Sequence, residues 1–375
     1  MNINIQVPKY EQFRAFYVFF IISTMQLGVG MIGTPRLVFQ KAGHDGWMSI
    51  ILVYFFLLLV LFTMLYILKQ YENADILGIQ ADLFGNFLAK VLGTIYIIYF
   101  GSEILSILVT YIEIVKVFIF PDSSSFILGL MIITLIVYSC IGGLRIIIGV
   151  TFIFFLLTHW VILLLPVPMA QIDWLNFLPV MDRGIIDIIK GTVSTSYTFM
   201  GFEIFFFLYP FIQNKKKVKQ PIVWGVSYSV FLVLLITVTT IGFLSPEQLR
   251  RRIWPALHLF KIQTSPFLER LDYIVVAEWM MVTLPNMMLL MWGITYTAKR
   301  LYKIPTKATL YITAGLLLAS VSLFNSHFEI QRLTDTVKSG GIFITYIYPF
   351  ILLPLVLIKK KWRKKKKEPI NDANE

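Results

Sequence analysis

Three carboxylates stand where an apolar chain has little reason to carry them. Glu103, Glu203 and Glu278 each lie inside long hydrophobic runs, with no arginine or lysine at comparable depth. In hydrocarbon an unpaired carboxylate is costly, so each has to be neutralised by a ligand cation, by water or by a proton. A proton site, an ammonium-binding site and a structurally protonated carboxyl all meet that requirement. A second pattern, GVGMIG at 28–33, fits the G-x-G-x-x-G form of a dinucleotide turn. That turn works only between a strand and a helix, with an acidic residue about 20 positions on. Here the preceding FRAFYVFFIISTMQL is too long and apolar for a strand, and Trp47, Met48 and Ser49 offer no carboxylate. His44, His159, His258 and His327 are far apart and show no metal spacing, and the single Cys140 excludes an internal disulfide or a thiolate cluster. With no nucleophile–base motif or phosphate loop, the expectation is a protein that is not an enzyme, with no catalytic residue, no metal site and no cofactor.

The elements that must position these carboxylates follow from composition. The 375 residues are 57% hydrophobic and only 14% charged, against about 25% charged in a soluble domain. With a mean hydropathy of +0.76, the chain reads as a polytopic helical membrane protein. A net charge of +12 could point to nucleic acid, but the basic residues form short blocks between apolar runs and at the C-terminus, which is a topology pattern and not a nucleic-acid surface. The start MNINIQVPKYEQ leads into the first apolar run without a small-residue cleavage site, so that run is expected to stay.

Apolar windows fall at 13–35, 46–68, 88–119, 126–143, 146–168, 185–212, 221–244, 272–298, 308–324 and 342–358. The expected fold is all-α and integral to the membrane, with ten transmembrane helices as a 5+5 inverted repeat whose first and sixth helices are broken. The expected units are a cytoplasmic N-terminus at 1–12, one five-helix repeat over 13–168, a second over 169–358, and a basic cytoplasmic tail at 359–375. Placing both termini in the cytoplasm puts 21 of the 33 basic residues on that side, including KKKVK at 215–219 and KKKWRKKKK at 359–367. The longest outer loop, 245–271, begins SPEQ, a capping-box signature for a short helix. It reads either as an interfacial helix whose arginines meet lipid headgroups or as a lid over a cavity.

The two halves share an irregularity. Gly28, Gly30 and Gly33 interrupt the first window, which is expected to end at Pro35, and Gly201 interrupts the sixth, with Pro210 beyond. Paired interruptions at matching positions mark an inverted-repeat transporter fold with its site at the midplane. Unwound backbone is tolerated in a membrane only where it lines a cavity or is buried in protein, and a half-helix N-terminus there attracts a carboxylate. Close helix packing is the competing reading of the same glycines. In the third window Tyr96, Tyr99, Glu103, Ser106, Thr110 and Glu113 fall within an arc of roughly 100°, a polar stripe suited to one wall of a pathway. Glu113 is expected to pair with Lys116.

Several stretches together resemble a known family. DGWMSI, FMGFEIFFFLYP, SPEQLRRRIWPALHLFK with FLERLD, and the KKK block are similar to the permease-like B subunit of the spore nutrient germinant receptors, over about Tyr10 to Lys360. That family is itself similar to amino acid/polyamine/organocation transporters. The resemblance implies a ten-span fold, the inner membrane of a bacterial spore, and assembly with an A subunit and a lipoprotein C subunit. It also implies a small nutrient ligand, often an amino acid, that starts germination. Carried over by position, the carboxylate of such a ligand maps to Gly28, Val29 and Gly30, and its amine to Phe199, Met200 and Gly201, followed by Glu203. The third-window wall would be Tyr99, Glu103 and Ser106, with Trp292 a further candidate. Val29 departs from the glycine, serine, glycine usual in the transporters, which removes a hydroxyl from the carboxylate position. A working proton-coupled amino-acid permease and an ion or water conduit within a receptor complex are the alternative functions.

Overall fold

The structure is a computed structural model that describes residues 1–261 and 270–367. Residues 267–269 of FLERLD and the tail beyond 367 lie outside the described residues. Each of the ten apolar windows is occupied by helix, and no strand occurs among the described residues. The helices that give the bundle its walls are Gly46–Lys69, Lys219–Phe243 and Leu271–Tyr302. Packing sorts the apolar residues by environment. Phe202, Phe205, Phe206 and Phe207 are essentially fully buried, so the second half of the sixth span is enclosed on all sides. By contrast Leu156, Leu157, Leu163, Tyr311, Ile312 and Leu316 are exposed, forming an apolar outer surface that suits lipid.

Four boundaries differ from the sequence windows. The first span is two helices, Tyr17–Gln26 and Gly30–Ala42, and it runs through Pro35 instead of ending there. A proline early in a helix removes only one intrahelical bond, and burial of Met31, Ile32, Val38 and Phe39 outweighs it. The third span starts at Ile76, capped by Asp75, which accepts from Gly78 N at 2.7 Å, and is kinked at Gly85, where φ is +85°. The sixth span has helices Gly184–Ser194 and Phe202–Phe211 with a long break between. The tenth starts at His327, fifteen residues before its window, because Ser326 and Glu329 form a capping box. It continues through a π-helical turn, Ile342–Ile347, into Tyr348–Lys367.

The polar segments between spans gather at two ends of the bundle. At one end the N-terminal strand of chain pairs with the second–third connection, Ile5 N to Asn73 O at 2.8 Å, and Phe13 N donates to Phe211 O at 2.9 Å. Arg145 Nη2 donates to Lys9 O at 2.7 Å, Arg300 Nε pairs with the buried Asp75 at 2.8 Å, and Arg363 pairs with Asp82 at 2.5 Å. Thus the segments assigned to one side by their basic residues do share one end.

The other end is closed by the 245–261 loop. Ser245 accepts from Gln248 N at 3.3 Å and starts the short helix Pro246–Arg251, as its sequence signature requires. Its arginines stay exposed, but Trp254, Pro255, Ala256, Leu257, Leu259 and Phe260 are buried against the bundle. The short helix thus stays at the surface while the segment after it packs into the bundle.

Two outcomes test these end structures. Burial, together with Arg252 and Lys261, lowers the His258 pKa to about 4. The closed loop then holds a neutral imidazole down to about that pH, whereas an opened loop binds a proton below the usual value near 6.5. Closure is complete above pH 6.5 and is lost progressively as pH falls toward 4; hydrogen exchange at 253–261 should rise over that window, and His258→Gln should flatten it. Asp75→Ala strands a mostly buried guanidinium and should lower the unfolding midpoint in detergent by an amount equivalent to about 3 kcal/mol, with Asp75→Leu/Arg300→Met recovering part of the loss.

Candidate functional site

The break in the sixth span is written in its hydroxyls. Ser194, Thr195 and Ser196 donate to the carbonyls of Gly191, Thr192 and Val193 at 2.6, 2.7 and 2.8 Å, competing with the helical pattern. The chain then turns until Gly201, whose φ of +94° is left-handed, and helix resumes at Phe202. Carbonyls freed by the break find donors on the tenth span: Tyr346 Oη donates to Ser196 O at 2.8 Å and Lys338 Nζ to Ser194 O at 3.4 Å. On the far side of the break Glu203 Oε2 accepts from Gly201 N at 2.9 Å, folding back on the residue that precedes its own helix.

The first-span break meets the sixth directly. A Cβ on Gly30 would lie 2.8 Å from Thr198 Cα, and one on Gly28 would lie 2.9 Å from Asn286 Nδ2. Thr34 Oγ1 bonds to Gly30 O at 2.9 Å and to Thr198 Oγ1 at 2.7 Å. Gly28 and Gly30 thus serve close packing and border the break at the same positions, so the two readings of these glycines coincide. Val29 is buried between them.

Glu103 comes to the other side of Gly201. Its Oε1 lies 3.4 Å from where a Cβ on Gly201 would be, and Gly201 N donates to Glu203, so the two carboxyls flank the same residue. Glu103 is 4% exposed and Glu203 is fully buried. No arginine, lysine or histidine is among the groups acting on either. Glu103 Oε2 and Glu203 Oε1 have no hydrogen-bond partner among the described residues. Tyr99 faces both carboxyls, its hydroxyl 3.5 Å from Thr345 Oγ1. Met200 and the Tyr99 hydroxyl abut Gly341, where a Cβ would lie 2.6 Å from Met200 Sδ and 2.8 Å from Tyr99 Oη. Phe199 is fully buried beside them. Two buried carboxyls without a basic partner among the described residues have the chemistry to accept an ammonium or to share a proton.

Ser106 lies one turn along the third span, bonded to Tyr197 Oη at 2.7 Å and to Thr334 Oγ1 at 3.0 Å. This hydroxyl layer separates the carboxyl pair from a cavity of about 90 Å³, lined by Gly30, Arg36, Thr110, Trp254 and Lys338. Trp254 of the 245–261 loop is one of the residues that line it. Glu113 does not pair with Lys116: it bonds to His327 Nδ1 at 3.0 Å, while Lys116 donates to Ser125 Oγ. The tenth span supplies a partner that a reading along one helix could not find.

Two expected residues stand apart. Trp292 is not brought to the carboxyl pair; it stacks on Tyr296 with centroids 5.0 Å apart and lines a cavity of about 880 Å³ at the end holding the N-terminal segment. Glu278 bonds to Trp160 Nε1 at 2.7 Å, away from Glu103 and Glu203. The site also includes residues that the sequence reading passed over: Thr198, Thr334, Lys338, Gly341, Thr345 and Tyr346. For the five on the tenth span the signal was the polar residues recurring through SHFEIQRLTDTVKSGGIFITYIYP, which a window opening at 342 cut in two.

A family described as spore germination protein matches residues 12–329. Spore germination protein GerQB of Bacillus cereus is 28% identical over 359 residues, covering 96% of this chain and 99% of that protein. Spore germination protein A2 of Bacillus subtilis (strain 168) is 24% identical over 350 residues, 91% of this chain and 94% of that one. Among solved structures, a Na+-coupled sialic acid symporter in a substrate-bound, outward-open state aligns with a TM-score of 0.69 at 12% identity, over 92% of this chain and 78% of that one. The Eremococcus coleocola manganese transporter aligns at 0.60, also at 12% identity, over 94% and 81%. The likeness to these two is one of fold: that of helical membrane transporters.

The break itself is open to a backbone test. Gly201→Ala puts a Cβ at positive φ and against Met25, at a cost of about 1–2 kcal/mol for the dihedral alone. Its expected result is a lower unfolding midpoint in detergent with insertion intact, whereas Gly315→Ala, in open space, should stay within error.

Proposed function

Since the chain belongs to the spore germination permease family, we propose that it is the membrane subunit of a spore nutrient germinant receptor and binds a small nutrient, an amino acid, between its broken helices. The observation that carries this reading is the facing of Glu103 and Glu203 across Gly201 with no basic side chain opposite them. The ammonium of an amino acid supplies the missing cation, and its carboxylate lies toward Gly28, Val29 and Gly30, where no side chain caps the second half-helix. Tyr99, Thr345 and Met200 shape the remainder of the pocket. Entry from the cavity under Trp254 requires the Tyr197–Ser106–Thr334 layer to part, and that movement of the tenth span is the signal passed on.

On this reading the chain consists of two five-helix halves, with both termini in the cytoplasm and the end holding the 245–261 loop facing out. It resides in the spore inner membrane and assembles there with an A subunit and a lipoprotein C subunit. A second reading, a proton-coupled amino-acid permease, rests on the same carboxyl pair, because two carboxyls and a tyrosine can also hold and pass a proton. A conduit for ions or water draws less support: Tyr96, Tyr99, Glu103 and Ser106 of the third-span stripe are all buried in this conformation.

Labelled amino acids offered to the full chain in liposomes separate these readings. Saturable binding without accumulation supports the receptor subunit; accumulation that follows an imposed proton gradient supports the permease; absence of binding to any amino acid overturns both. Glu203→Gln should weaken binding by at least about tenfold, the loss of one charge-assisted contact, whereas Trp292→Phe should leave it within about twofold.

A further inference from the structure

Glu278 is the intramembrane carboxylate that the broken-helix site does not use. It lines a separate cavity of about 70 Å³ between the first, fifth, seventh and eighth spans, walled by Leu27, Met31, Phe155, Leu232, Ile236 and Val275. Five polar residues interrupt those apolar walls: Thr158 and His159 are bonded to Phe154 O, Phe155 O and Tyr228 Oη, and Thr24, Glu278 and Trp279 complete the set. Glu278 Oε1 accepts from Trp160 Nε1, but Oε2 has no partner among the described residues. The adjacent Trp279 is only 6% exposed, lines the same cavity, and its Nε1 has no partner either. A buried donor or acceptor left unmade costs about 1–3 kcal/mol, so an unmet acceptor and an unmet donor in one apolar cavity call for an occupant.

The chemistry of that occupant follows from the pair. A hydroxyl donates to the carboxylate and accepts from the indole N–H. An ammonium group can only donate, and an alkane does neither. A lone water meets both polar groups but leaves the apolar walls without contacts. Trp160, whose indole covers Glu278, is itself 38% exposed next to the exposed Leu156 and Leu157, which places the cavity one side chain from the lipid-facing surface. We propose that this cavity is a binding site for a short aliphatic alcohol, entering from the membrane, with its hydroxyl between Glu278 and Trp279 and its chain against the apolar walls. The site adjoins Leu27, at the edge of the first-span break, and does not depend on the identity of the nutrient.

The test uses the full chain in lipid nanodiscs and a photoreactive butanol carrying a diazirine, with adducts located by mass spectrometry. Adducts should concentrate on the segments 155–165 and 275–282 and be displaced by unlabelled 1-butanol. Trp279→Phe, which removes the donor and keeps an aromatic ring, should weaken displacement about fivefold, one hydrogen bond's worth. Val282→Phe, which fills the cavity from another lining position, should abolish the localised adducts. Even labelling over all lipid-facing helices, or localised adducts that 1-butanol does not displace, would overturn the proposal. So would equal labelling by a diazirine-bearing butane together with no effect of Trp279→Phe, because the cavity would then be an apolar void only.

Discussion

Peptide groups released from a helix inside hydrocarbon must find partners within the protein, and the interior of this molecule is arranged around that demand. The first and sixth spans each interrupt their backbone at mid-depth, and neither break could stand in lipid alone. Two sixth-span carbonyls are met by Tyr346 and Lys338 of the tenth span and the Gly201 N–H by Glu203. The first-span break is pressed against Thr198 through Gly30. Three segments far apart in sequence are therefore held in one arrangement, and the π-helical turn at Ile342–Ile347 occurs where the tenth span faces the sixth-span break. Turns of that kind re-aim side chains locally, and this one brings Thr345 and Tyr346 to the break.

Charge is segregated with equal consistency. Close ion pairs of the described residues lie toward the two ends of the bundle, among them Asp75 with Arg300 and Asp82 with Arg363 at one and Arg270 with Asp272 at the other. At the level of the breaks there are carboxyls, hydroxyls and the Lys338 ammonium on Ser194 O, and among the described residues neither Glu103 nor Glu203 is ion-paired. Ion pairs at the ends can fix the geometry of the connections without entering the low-dielectric centre, where desolvation would offset much of their attraction. The centre keeps two carboxyls, Glu103 and Glu203, that are not ion-paired among the described residues.

The broken helices were legible because glycine and hydroxyl-rich segments have few uses inside apolar runs. Gly28, Gly30 and Gly201 stand at or beside the breaks they announce, and Glu103 and Glu203 were marked by the absence of basic residues at their depth. The start of the tenth span was not legible from hydropathy, because residues 327–341 carry polar groups that face a cavity, which reads the same along the chain as polar groups that face water. Glu113 was assigned to Lys116 because both lie on one helix, and periodicity carries no information about a neighbour 214 positions away. Trp292 was carried over by family resemblance and Glu278 was marked only as a deep carboxylate, and neither kind of signal says in which direction a helix turns its face.

The sequence by itself determined the class of the protein: composition and apolar window length required a helical bundle in a membrane, basic blocks grouped its connections into two sets, and paired glycines located its two interruptions. Those properties are local or additive, so they survive being read one residue at a time. Only the tertiary structure decided that Glu103 and Glu203 meet across Gly201, that the tenth span completes the sixth, and that Glu278 faces a different cavity. Each of those outcomes depends on the relative rotation and depth of helices packed against one another, and that is set by contacts between residues a hundred or more positions apart.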